Sequence, residues 1–90
     1  MDWITADIAV GNYLEAQNAS LLKEQGICSV LGLDRTLQNR EGAELGLADM
    51  EIVPLEDGPG NDPRLFRLAV AALVRLAREW PPVLVHCHAG

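Results

Sequence analysis

Apolar residues fall into short runs separated by polar, glycine-containing stretches, and their spacing changes along the chain. Trp3-Ile4-Thr5 and Ile8-Ala9-Val10 read as two extended pieces around Ala6-Asp7, closed by Gly11-Asn12. This pattern predicts a small antiparallel hairpin. Residues 12–18 follow as a turn with a short helical piece. Asn18 or Ser20 is a suitable N-cap for a helix through Leu21-Leu22-Lys23-Glu24-Gln25, with Gly26 as the residue after its end. Residues 27–33 are nearly continuously apolar, as in a strand buried on both faces of a parallel sheet. Residues 34–48 are polar and predict a surface loop with at most one helical turn. Residues 50–55 form the next strand, which Pro54 confines to a sheet edge or a strand end. Glu56 to Asn61 has the composition of a flexible loop.

The clearest periodicity comes next. Asp62-Pro63 pairs an N-cap acid with proline at the first helical position. Leu65, Leu68, Ala69, Ala72, Leu73, Leu76, Ala77 and Trp80 then recur at helical spacing, and Pro81-Pro82 ends the run. Val83-Leu84-Val85-His86 returns as a short buried strand. Helices alternating with apolar strands predict an α/β fold, a largely parallel twisted sheet with flanking helices, in which residues 1–90 are one small domain or the N-terminal part of a single one. Ligands of such sheets bind beyond the carboxyl ends of the strands. His86-Cys87 stands at one of those ends.

Composition narrows the function. The net charge of −6 argues against a nucleic-acid surface. No run approaches the ~18 apolar residues of a membrane span. Met1-Asp2-Trp3-Ile4-Thr5 lacks the basic and apolar regions of a signal peptide. A reducing, cytoplasmic compartment follows as the expectation, in which Cys28 and Cys87 need not pair. Cys28 reads as a core residue of its strand, with a redox partnership with Cys87 as the alternative.

The candidate chemistry lies at the end of the sequence. A β-branched run leads into Cys87, and Gly90 follows three residues later. A strand can fix the thiol there, and glycine lets backbone N–H groups from His88 onward approach a phosphate closely. A thiol so placed is expected as the nucleophilic thiolate. The plainer reading is a small apolar side chain at a strand end. Three adjacent residues such as His86, Cys87 and His88 alternate between sheet faces and do not converge on one ion, so no metal is expected.

His86, Cys87, Ala89 and Gly90 resemble the signature loop of the cysteine-dependent protein phosphatases, His-Cys-x-x-Gly-x-x-Arg-(Ser/Thr), in its dual-specificity wording His-Cys-x-Ala-Gly. Two upstream stretches are similar to that group as well: Ile4, Thr5, Ile8, Val10 and Gly11 at the start, and the Leu21–Leu33 pattern ending in Val30-Leu31-Gly32-Leu33. The resemblance implies a phosphatase-like fold and hydrolysis of phosphomonoesters through a phospho-cysteine intermediate, without cofactor. The substrate it implies is a phosphorylated protein or a small phosphomonoester.

The resemblance makes Cys87 the nucleophile and His86 the residue that orients the loop. His88, Ala89 and Gly90 become the backbone cradle for phosphate. Asp57 takes the place of the family's leaving-group acid, thirty positions before Cys87. Its plain reading is a solvated turn residue beside Gly58. Asp62 and Glu56 are rivals, and capping already accounts for Asp62. The signature arginine would stand three positions past Gly90, where the sequence given has already stopped within the loop. The 90-residue piece is therefore expected to be inactive by itself. A non-catalytic phosphate-binding relative and a rhodanese-like sulfurtransferase are the alternatives. The wording of the loop and Asp57 favour the phosphatase.

Overall fold

The computed structural model describes residues 1–56 and 60–87. They form an α/β domain around one five-stranded mixed sheet of order β1-β2-β5-β3-β4. The strands are β1 (Asp2–Trp3), β2 (Ile8–Gly11), β3 (Ser29–Gly32), β4 (Asp49–Ile52) and β5 (Val83–His86). The helices are α1 (Tyr13–Ala16), α2 (Ala19–Glu24) and α3 (Pro63–Glu79), with a 3-10 turn over Gly42–Leu45. β2, β5, β3 and β4 run parallel in that order, and only β1 is antiparallel to its neighbour. Among the described residues, no helix is long and apolar enough to cross a membrane.

Side-chain alternation along the strands divides the core in two. Ala9, Val30 and Leu84 face one side, where they pack with Ala16, Leu22, Leu37, Leu45 and Leu47. Leu31 and Val83 face the other, against Ala72 and Leu76 of α3, with Ile8 and Val85 beside them. The central strands are thus covered on both faces, which is why their sequences are continuously apolar.

Local chemistry sets the helix ends. Asn12 accepts from Glu15 N–H (2.9 Å) while the Glu15 carboxylate accepts from Asn12 N–H (3.0 Å), a reciprocal cap for α1. The Met1 ammonium also pairs with Glu15, and together these contacts hold the Glu15 carboxyl below its usual range. Asn18 caps α2 by accepting from Leu21 N–H, and Gly26 takes the left-handed conformation (φ 73°) after its end. Asp62 caps α3 by accepting from Arg64 N–H at 2.9 Å, with Pro63 at its first turn. At the far end of α3, the Ser29 hydroxyl donates to Trp80 O (2.8 Å), so a fully buried serine is satisfied and the helix end is tied to β3.

Three expectations change. The first strand is shorter, Asp2–Trp3, because Ile4 and Thr5 N–H both donate to Ile8 O and turn the chain. Residues 34–48 are not a surface loop throughout: Leu37, Leu45 and Leu47 enter the core and pin the segment to the sheet. On α3, the buried stripe is narrower than the periodicity suggests. Ala69, Ala72 and Leu76 are buried, whereas Leu68 and Trp80 are 57% and 44% exposed. Among the described residues α3 meets the sheet along one line, and Leu68 and Trp80 lie outside it.

One polar contact fixes α3 to the sheet edge. The Arg75 guanidinium meets Asp49 (2.8 Å) and Glu51 (3.0 Å) on β4, and Glu79 (2.9 Å) one turn along its own helix. These carboxylates hold the Arg75 pKa above its ordinary value. The cluster is solvent-accessible, so salt weakens it. Arg75→Ala is therefore expected to lower the thermal unfolding midpoint, with the difference from wild type shrinking between low and high salt. Equal midpoints at low salt would show that the cluster does not anchor α3.

Candidate active site

Three strand ends meet on one side of the sheet. His86, the last residue of β5, is level with Gly11 of β2 and Gly32 of β3. Parallel pairing continues past the formal strand ends. Leu33 N–H donates to His86 O (2.8 Å), Val53 N–H to Gly32 O (2.8 Å) and Leu55 N–H to Leu33 O (2.9 Å). The segments after β3 and β4 are thereby held beside the end of β5, and Cys87 follows that end directly.

A cavity of about 260 Å³ opens there, lined by Leu33, Asp34, Arg35, Pro54, Leu55, Glu56 and Cys87. The half-buried Cys87 is a free thiol. Its position beyond the carboxyl end of a central parallel strand is where ligands of open α/β sheets bind. Glu56, the weaker rival for the acid, is on the cavity wall. Asp62 is held by its cap and by paired contacts with Arg64 of 3.2 to 2.8 Å, a structural role. Asp57, His88, Ala89 and Gly90 lie outside the described residues.

His86 is fully buried, and among the described residues no hydrogen-bond partner is found for either ring nitrogen. Burial lowers its pKa, against the opposing pull of the Asp34 carboxylate and the Cys87 backbone. The neutral imidazole is the form the fold accepts. Its ring lies against β3: a Cβ added to Gly32 would stand 3.0 Å from His86 Nε2 and 3.6 Å from Ile52 Cγ1. Gly32 is thus a close-approach glycine, and the ring occupies the space that a side chain would need.

The segment 33–35 is the part of the cavity that sequence reasoning missed. These residues read as a strand end and a solvated loop. The available signal was positional: the strand they follow is a neighbour of the strand that carries Cys87. Asp34 Oδ1 accepts from Thr36 N–H (2.8 Å) and Gln38 N–H donates to Arg35 O (3.0 Å), giving the segment a defined turn. The described side chains of the wall carry two carboxylates and one guanidinium. A bound phosphate would need further positive charge or N–H donors from outside this set.

Cys28 is remote from the site. It precedes β3 by one residue, while Cys87 follows β5 by one, and the two strands are parallel and in register from Ser29↔Val83 to Gly32↔His86. The thiols are separated by the length of the strand, on the order of 15 Å at ~3.3 Å per residue. A disulfide needs Cα atoms within about 7 Å, so the alternative of a Cys28–Cys87 redox pair is excluded. Among the described residues, no group of three His, Cys, Asp or Glu could hold a metal ion. In comparisons with known proteins, no family model and no curated protein matches the chain.

Two expectations follow for His86. Below its ordinary pKa of 6.5 the unfolded chain takes up a proton that the folded state resists, so stability falls as pH falls through this range. The thermal midpoint should drop between pH 7 and pH 5, and His86→Gln should remove most of that drop. A wild-type slope equal to that of the variant would sink the assignment. Gly32→Ala should cost about 1–3 kcal/mol through overpacking against the ring, read by urea denaturation. An unchanged midpoint would show that the ring can move aside.

Proposed function

We propose that the chain is part of a cysteine-dependent phosphatase of the dual-specificity type, with a phosphatase-like α/β fold. One observation carries the reading: Cys87 stands at the carboxyl end of the central parallel strand, in a cavity walled by Leu55 and Glu56, the residues immediately before Asp57. That Leu55 and Glu56 share this cavity with Cys87 supports the reading. The wording His86-Cys87-x-Ala89-Gly90 supports the same reading.

In the proposed reaction the Cys87 thiolate attacks phosphorus. The P–O bond to the leaving group breaks, and Asp57 gives its proton to the departing oxygen. Water then attacks the phospho-cysteine with Asp57 accepting a proton, which releases phosphate and restores the thiolate. Backbone N–H groups of His88, Ala89 and Gly90 meet the developing negative charge. In the family's pattern an arginine three positions past the glycine would complete a bidentate fork on two phosphate oxygens. Such a fork supplies the positive charge that Asp34 and Glu56 do not. His86, buried against Gly32, orients the start of the loop. The substrates are phosphorylated proteins or small phosphomonoesters, and a reducing, cytoplasmic setting keeps both cysteines as thiols.

The test is turnover of phosphate esters by the full-length protein. Cys87→Ser should abolish hydrolysis of an aryl phosphate. Asp57→Ala should slow alkyl phosphates by about 10²–10⁴-fold, the usual scale of general acid catalysis, and slow a good aryl leaving group far less. Equal losses for both substrates would remove Asp57 from the acid role. Phosphate binding without turnover would favour the non-catalytic relative. Sulfur transfer from thiosulfate to cyanide would favour the sulfurtransferase.

A further inference from the structure

Arg35 shares the Cys87 cavity, and no role has yet been given to it. It stands three residues past β3, and β3 is the in-register neighbour of β5. Its backbone is held by the turn to Gln38, and the next-but-one residue, Leu37, is fully buried in the core. The side chain is exposed, whereas Cys87 in the same cavity is half-buried. Arg35 therefore stands at the cavity's outer part, where the body of a substrate would lie rather than its reacting group.

Charge marks it out further. Arg40, Arg64 and Arg75 each have a carboxylate partner, whereas Arg35, Arg67 and Arg78 have none among the described residues, and of these three Arg35 alone lines the Cys87 cavity. Among the described residues it is the only cation on that wall. A chain of net charge −6 repels an anionic substrate at long range. An unpaired guanidinium in the outer part of the Cys87 cavity offsets this locally, and its planar fork fits a carboxylate with two parallel hydrogen bonds.

We propose that Arg35 selects phosphomonoesters that carry a second anionic group beside the phosphate, as an acidic phosphopeptide does. The proposal rests on the phosphatase reading of this cavity. Arg35 is a specificity residue: it holds the flanking carboxylate and takes no part in bond making at phosphorus. The exposed setting limits the gain to that of a surface ion pair, a factor of about two to five.

Two measurements test it. The first compares kcat/KM of the full-length protein for two phosphotyrosine peptides, one flanked by glutamate and the other by glutamine. Wild type should prefer the acidic peptide by about two- to fivefold, chiefly through KM. Arg35→Ala should bring the ratio to about one, and Arg35→Glu should reverse it. A ratio that is the same in wild type and Arg35→Ala overturns the proposal. Because each ratio is taken within one variant, altered folding or overall activity does not affect it.

The second measurement needs no turnover. Alkylation of Cys87 by anionic iodoacetate and by neutral iodoacetamide, each displacing iodide, is followed by mass spectrometry of the peptide containing Cys87. The iodoacetate-to-iodoacetamide rate ratio should fall about two- to fivefold in Arg35→Ala. An unchanged ratio overturns anion recruitment by Arg35. A fall in this ratio in a protein that hydrolyses no phosphate ester supports Arg35 as the anion-recruiting group while the phosphatase reading fails.

Discussion

Strand β5 is the constraint on which the rest depends. It is hydrogen-bonded to β2 on one edge and to β3 on the other, and its side chains are packed between α3 on one face and the α1–α2 layer on the opposite face. Neither its register nor its tilt can change without disturbing both layers. A residue placed just past its end therefore inherits a fixed position. Cys87 is that residue, and the pairing that runs on through Leu33 and Leu55 brings two further chain segments to the same point. A side chain on a short free segment would otherwise be free to wander. Here the sheet restrains it.

The fold was legible wherever one local signal agreed with one global requirement. Asp62-Pro63 followed by a helical stripe specifies the start of α3, and the run Val83-Leu84-Val85-His86 specifies β5 to the residue. Asn18 and Gly26 mark the two ends of α2 for the same reason. Residues 34–48 were misread because their polar majority masks three leucines. Leu37, Leu45 and Leu47 are too irregularly spaced to show a period, yet each finds the core. Periodicity detects repeated faces, and it is blind to single anchors. The opposite error affects Leu68 and Trp80, which satisfy the helical period but lie beyond the line where a lone helix meets the sheet.

The place of Cys87 just past a strand end was legible in the sequence, and the neighbours it meets there were not. Cys87 and His86 announce themselves by residue type and order. Asp34 and Arg35 do not, because a charged pair after a strand is commonplace on a protein surface. What sets them apart is strand order, with β3 next to β5, and strand order depends on contacts distant in sequence. Gly32 was equally silent. Its lack of a side chain makes sense only when the His86 ring is seen to fill the space.

The Arg75 cluster has a bearing beyond holding α3. Among the described residues β4 is an outer strand of the sheet, and one row of its backbone N–H and C=O groups has no described strand beside it. Such a row is a template for pairing with another chain. On β4, Asp49 and Glu51 carry carboxylates on the face turned to Arg75, and the strand ends before Pro54, which has no N–H to offer. A second copy of the chain approaching edge to edge would bring its own two carboxylates toward these. The contact that fastens the helix thus also keeps a charged, short and proline-ended border on the sheet, which disfavours its growth into larger assemblies.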